Sequence, residues 1–270
     1  MEQNVVFVNR LNDVIYGWVL RVVLVEKSLI RDSRNMGRRY QRFMFVDSLG
    51  DRVQAVAYYN DIHVLNETLQ LYSTYYIAGA AVRRILNGSI MVGLVPFELV
   101  LRPNTFIQTV DEGLALPIHN VYHLTRFGDL ESLRHSRDSI ITILGVVIQV
   151  LPMQVFMLGG RYIRVQEFLL INEEMMPIVF AIWDDFIDTD GLYLAQIAHE
   201  YPIILVCRPK ISYFHGLSLG TQRQTIIMYN VAIPQAHELR RWFDILGEDG
   251  VVEVLVSATG EGSCNVSLGA

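Results

Sequence analysis

The chain has 270 residues, 51% of them hydrophobic and 19% charged, a composition that excludes a disordered polymer and fits one large domain or two ordinary ones. A formal net charge of -6 argues against a polyanionic partner only if the charge is evenly spread. It is not: up to Arg102 there are 12 Lys+Arg against 9 Asp+Glu, and beyond it 10 against 19, so a basic groove can exist on an acidic protein.

In chain order, Gly17 to Glu26 reads as a strand and Arg31 to Arg39 as a polar loop. Tyr40 to Asp47 alternates, Ser48 to Asp51 is a turn, and Arg52 to Tyr59 is a third strand. Asp61 to Leu71 has helical spacing. Tyr72 to Arg83 and Ile90 to Leu101 follow as strands split by a turn at Asn87-Gly88, and Pro103 to Asn120 reads as a linker.

The same order then returns. Ile140 to Leu151, Gly160 to Asn172 and Met176 to Trp183 are strands, Leu192 to Ala198 is a short helix, and Tyr201 to Phe214 and Leu217 to Tyr229 complete the set. Two copies of strand-strand-strand-helix-strand-strand imply an all-β chain of two tandem five-stranded Greek-key barrels, each with a helix between strands three and four. The expected domains are residues 1–105 and 121–246, with a linker at 106–120 and a mobile tail at 247–270 in which Val251 to Val256 could pair as an edge strand.

Several functional classes find no support. Ser139 to Gly160 carries no charge and is long enough to span a bilayer, but Gln149, Gln154 and Pro152 favour a buried strand turning into a hairpin, so no membrane is expected. The first residues lack the basic and apolar regions of a signal peptide. Cys207 and Cys264 have no Cys-x-x-Cys spacing, which supports neither a disulfide framework nor a zinc site and fits a reducing compartment. His119 and His123 have an i,i+4 spacing that could seat a metal but no third ligand nearby, and Asp184, Asp185, Asp188 and Asp190 could be the metal-binding acidic cluster of a nuclease but read better as an acidic helix start and solvated loop. No phosphate loop or nucleophile elbow is present. The expectation is a protein that is not an enzyme, with no cofactor, metal or small-molecule substrate.

The candidate interface centres on Met176 to Gly220. Trp183 ends an apolar strand beside two acids, and Phe214 stands just before a His-Gly turn. Two flat rings on neighbouring strands with cations close by make a platform on which unpaired bases stack. Arg31, Arg34, Arg38, Arg39 and Arg42 crowd the loop between the first two strands, where such barrels hold a nucleic-acid backbone. Arg83 and Arg84 precede the Asn-Gly turn and could reach the same groove. In the second half Arg208 and Lys210 alternate along one strand, and Arg161 and Arg164 could line the corresponding loop.

Ile233 to Asp244, Ala181-Ile182-Trp183 and Ser212 to Leu219 resemble the second of the central DNA-binding domains in the replication protein A large-subunit family. Trp18, Lys27 to Arg31, Phe45 to Asp47 and Val53 to Tyr58 are similar to the domain before it. The resemblance covers roughly residues 5 to 245 and reaches neither the family's N-terminal protein-recruitment domain nor its C-terminal zinc-bearing domain. It implies two oligonucleotide-binding (OB) folds that hold single-stranded DNA along a continuous groove, with Trp183 and Phe214 at the two base-stacking positions of the second barrel and Lys210 at a basic contact. In the first barrel one stacking position falls on Tyr58 or Tyr59, and the other falls near Ile90, which has no ring. The implied function is binding of single-stranded DNA with little sequence preference in replication, repair or recombination, in the nucleus. Implied partners are subunits of the replication protein A type or repair proteins. The alternative is a diverged OB-fold protein that serves as a protein-protein interaction module.

Overall fold

The computed structural model describes residues 5–13, 17–33, 37–59, 61–85, 95–111, 121–135, 140–213 and 216–260. They form two compact units, 1–121 and 122–270, each built on one curled sheet.

In the first unit β1 (Val5–Val6) pairs in parallel with β2 (Val19–Lys27). There follow β3 (Arg31–Ser33), β4 (Arg38–Val46), β5 (Arg52–Tyr58), α1 (Asp61–Thr68), β6 (Thr74–Ala78), β7 (Ala81–Arg84), β8 (Phe97–Leu101) and β9 (Phe106–Thr109). Hydrogen bonds order the sheet β7-β8-β5-β4-β2-β6-β9. Because β6 and β7 are consecutive halves of one bent stretch, the path returns on itself and closes a barrel. The bend is at Gly79, φ 69°, a conformation that costs a residue with a Cβ about 1–2 kcal/mol.

The second unit repeats the order of these strands except that, among the described residues, none corresponds to β1. It contains β10 (Thr142–Val150), β11 (Gln154–Leu158), β12 (Arg161–Ile171), β13 (Ile178–Trp183), α2 (Leu192–Ile197), β14 (Ile203–Cys207), β15 (Lys210–Ser212), β16 (Ser218–Gly220), β17 (Ile226–Tyr229) and α3 (Pro234–Gly260). Its order is β15-β16-β13-β12-β10-β14-β17. Each barrel has one irregularity in its first long strand, between Leu24 and Glu26 on β2 and between Val147 and Gln149 on β10. The bend is repeated too, and here the left-handed residue is Arg208, φ 58°.

Apolar side chains at every second position fill each interior. Leu20, Val22, Phe43, Phe45, Val53, Ala55, Ala57, Leu99 and Leu101 line the first, and Ile143, Phe168, Leu170, Ile178, Phe180, Ile182, Ile204 and Val206 the second. In the first unit α1 follows β5 and buries Ile62 and Leu65 in the core. The Lys27 ammonium holds the end of α1, donating to the carbonyls of Asn66 (2.7 Å) and Leu69 (2.8 Å), and its burial lowers the Lys27 pKa. In the second unit α3 packs on β10 and β14, whose outward residues Leu144, Val146 and Leu205 are buried.

Four sequence expectations change. Phe106–Thr109, placed in the linker, pairs with β6 as a strand of the first unit. The segment read as a tail is helical to Gly260 after a break at Gly247 (φ 65°, ψ -179°), because Val251 and Val254 find a packing surface and are buried. The fourth strand of each barrel is two strands around a left-handed residue. The loop from Arg31 to Arg39 holds the strand pair β3–β4, with Arg31 opposite Tyr40. Among the described residues no helix is long and apolar enough to cross a membrane.

A carboxylate fastens the start of the second unit. Phe127 and Leu130 are core residues on a short helical turn. Glu174 accepts the backbone N–H groups of Phe127 (2.8 Å) and Gly128 (2.9 Å) and the Asn172 side-chain amide (3.1 Å). Burial alone would raise the Glu174 pKa, but the two N–H donors, Asn172 and then Arg126 outweigh it, so the net direction is down. A depressed carboxylate pKa stabilises the fold above the unfolded value of about 4.3, and that stabilisation is lost as pH falls through the folded value. Glu174→Gln should therefore cost about 1–2 kcal/mol at neutral pH. In denaturant melts the gap from the parent should close below about pH 4, and a gap that stays constant to pH 3 would contradict the assignment.

Candidate nucleic-acid interface

A strand that sends alternate residues into a core presents the others on its opposite face. On β5 the core takes Val53, Ala55 and Ala57, so Gln54, Val56 and Tyr58 point outward. Across the antiparallel pair Tyr58 stands opposite Tyr40 and Val56 opposite Arg42. On the other flank Gln54 neighbours Glu98, and Glu98 is opposite Arg83. The outer face thus gathers Tyr40, Arg42, Tyr58, Arg83 and Glu98. The Arg42 guanidinium lies 5.5 Å from the Tyr40 ring centre, and that of Arg83 lies 5.7 Å from the Tyr58 ring centre while donating to its hydroxyl at 2.9 Å.

Arg83 is held in place. It bonds Glu98 through both Nε (3.2 Å) and Nη2. Burial opposes its charge, but the bonds to Glu98 and Tyr58 prevail and raise its pKa. The pairing fixes the Tyr58 ring and leaves Arg83 with little net charge for a phosphate.

On β13 the core takes Ile178, Phe180 and Ile182, so Ala181 and Trp183 point outward, with Val165 opposite Trp183 and Glu167 opposite Ala181. Gly220 neighbours Ala181 on the other side and Lys210 is opposite Gly220, which puts the exposed Lys210 on the Trp183 face. The indole leans over Gly220, where a Cβ would come within 3.1 Å of its Nε1. The Trp183 backbone N–H donates to Thr221 Oγ1 at 2.9 Å. From the β11 arm, Phe156 meets the indole at 5.9 Å between ring centres and 85° between planes.

The matching registers pair the two barrels residue by residue. Ala181 beside Gly220 corresponds to Val56 beside Val100, so Trp183 corresponds to Tyr58, Val165 to Tyr40 and Glu167 to Arg42. Tyr58 holds the position of Trp183, whereas Tyr59 has left the strand at φ 54° and is 52% exposed, its ring 6.5 Å from that of Tyr58. The first barrel carries an arginine on this face where the second carries a glutamate.

The expected cations divide. Arg38, Arg42 and Lys210 share the outer faces with the rings, as does the exposed Arg161, which by alternation lies on the Trp183 side. Arg39 alternates to the other side and pairs with Asp32 at 3.2 Å. Four expectations are corrected. Arg31 is fully buried, 0% exposed, and so is withdrawn from any solvent-side phosphate. Arg164 is held by Asp188 through two bonds of 2.9 and 2.7 Å and by the Asp184 carbonyl, and it secures the helical turns after β13. Arg208 does not alternate with Lys210, because it is the buried residue of the bend and donates to the Gln224 carbonyl at 3.2 Å. Arg84 is opposite Phe97, on the face away from Arg83, with its guanidinium 5.8 Å from that ring centre. Phe214, Arg34, Ile90 and His119 lie outside the described residues.

The acids at 184–190 also have structural tasks. Asp190 is fully buried and accepts the Tyr229 hydroxyl at 3.1 Å. Burial, then Asp184 and Asp188, raises the Asp185 pKa against the opposing pull of Arg164.

Sequence reasoning missed Tyr40, Phe156, Glu98 and Gly220. Tyr40 was legible two residues before Arg42 on an alternating strand. Phe156 was hidden in an uncharged run that reads as interior.

No protein-family model matches the chain. It is 23% identical over 238 residues to a replication protein A 70 kDa DNA-binding subunit of Oryza sativa subsp. japonica, which covers 86% of this chain and 37% of the relative. It is 26% identical over 262 residues to the Drosophila melanogaster 70 kDa DNA-binding subunit, 91% and 40% of the two chains. It therefore spans about two-fifths of the length of these curated relatives. A solved replication protein A heterotrimer bound to single-stranded DNA contains a chain that matches 89% of this one over 55% of its own length, with 18% identity and a TM-score of 0.68. By sequence and fold together, the chain is similar to the 70 kDa subunit of replication protein A and consists of two oligonucleotide-binding folds in tandem.

Proposed function

We propose that the protein binds single-stranded DNA with little sequence preference, in replication and in the repair and recombination that expose such strands, within the nucleus. The observation that carries this reading is the register match of Tyr58 and Trp183, two outward rings at the same position of equivalent strands, each with basic side chains on its face. Bases stack on such rings whatever their identity, because every base has a π-face. Arg38, Arg42, Lys210 and Arg161 supply charge for the backbone. The reading agrees with the DNA-binding name of the relatives and with the single strand bound to the similar heterotrimer. It is a role of binding without chemistry, alongside other subunits of the same kind or repair proteins.

Stacking needs unpaired bases, so fluorescence anisotropy should show affinity for an arbitrary single strand far above that for its duplex, and equal affinities would refute the reading. Trp183→Ala and Tyr58→Ala should each weaken binding by about 1–3 kcal/mol, the usual worth of one stacked base. Tyr59→Ala serves as the comparison and should change little; a Tyr59 effect larger than that of Tyr58 would reverse the choice between them.

Salt titration tests the cations separately. For a single strand each phosphate contact contributes about -0.7 to the slope of log affinity against log salt. Arg38→Ala and Lys210→Ala should each make the slope shallower by about that amount, whereas Arg39→Ala, on the opposite side, should leave it unchanged. A slope unaffected by all three would place the phosphates elsewhere.

A further inference from the structure

We infer that Phe156 is a further base-contacting residue, which forms with Trp183 an aromatic corner that holds a single unpaired nucleobase. The inference deepens the single-strand-binding reading and rests on it.

The arm that carries Phe156 is β11 paired with the first half of β12, joined by a turn at Gly159 and Gly160, both at positive φ. Register assigns its faces. Phe156 is opposite Ile163 and Gln154 is opposite Val165, and Val165 is in turn opposite Trp183. Gln154, Phe156, Ile163, Val165 and Trp183 therefore occupy one continuous surface. Val155, Met157 and Tyr162 occupy the reverse of the arm, where Met157 is opposite Tyr162.

The geometry is suited to one flat ligand. The indole is backed by Gly220, whose missing Cβ leaves it room, and is met by the phenyl ring at 85°. A base stacked on one of two perpendicular rings has its edge against the other, and aromatic contacts of that kind are worth about 0.5–1.5 kcal/mol beyond burial. Phe156 is still 39% exposed, so contact with the indole leaves apolar ring surface for a ligand to cover. In the first barrel the register position of Phe156 falls on Ser33, opposite Arg38 as Phe156 is opposite Ile163.

The test uses the full chain, a fluorescein-labelled oligothymidylate and anisotropy titrations, with a thermal melt of every variant. Phe156→Ala should weaken binding about two- to tenfold, the range that such a contact implies, with a melting temperature close to the parent's. Phe156→Leu, which keeps apolar bulk without the ring, should also weaken it and serves if the alanine variant folds poorly. Tyr162→Ala, on the reverse of the same arm and 74% exposed, should bind like the parent. In a Trp183→Ala background the further loss from Phe156→Ala should shrink, because the shared base has already lost its stack. Unchanged or tighter binding by both Phe156 variants, an equal loss from Tyr162→Ala, or full additivity with Trp183→Ala would overturn the corner. A parent that fails to bind the oligonucleotide would instead sink the single-strand reading itself, whereas a binding parent weakened by Trp183→Ala alone would remove only the role of Phe156.

Discussion

Alternation along the third strand of each barrel ties the interior to the outward face that carries the candidate interface. Val53, Ala55 and Ala57 can enter the core only if Gln54, Val56 and Tyr58 leave it, and the same holds for Ile178, Phe180 and Ile182 against Ala181 and Trp183. The position of each ring is thus a by-product of core packing, and the free energy that buries the barrel also orients its outward side chains. Neighbouring strands then add to that face in register, from Tyr40 and Arg42 on one flank of β5 to Glu98 and Arg83 on the other.

Within this shared frame the two units orient their rings differently. Tyr58 is steered by a polar partner, the Arg83 guanidinium, which is itself fixed by Glu98. Trp183 is steered by shape, with Gly220 behind it and Phe156 at its edge. The exchange of Arg42 for Glu167 gives the faces different fields, in keeping with the basic first part and acidic second part of the sequence.

Much of this was legible in the sequence, because periodicity two and turn residues survive without any knowledge of partners. The repeated strand order, the helix after the third strand and the outward Trp183 all follow from local pattern. What stayed hidden depends on pairing at a distance. The choice between Tyr58 and Tyr59 needed the register with Tyr40, and the assignment of Arg208 failed because one left-handed residue resets the alternation that Lys210 was counted on. The helix beyond Gly247 is rich in valine, which favours strands when judged alone, and only the docking of Val251 and Val254 decides for helix. Arg39, Arg83, Arg164 and Arg208, all read as groove contacts, are held by the fold, since a sequence shows where a cation lies but not which carboxylate or carbonyl is waiting for it.

The matching irregularities on β2 and β10 bear on how such a chain can change length. At Leu24/Glu26 and at Val147/Gln149 one extra residue lets the strand pair with its second-strand partner on both sides of the irregularity. Removing that residue would swap inward for outward along half of the strand, and adding another elsewhere would do the same. The loops between strands can absorb insertions because no parity crosses them, whereas these nine-residue strands can vary in composition but not in count.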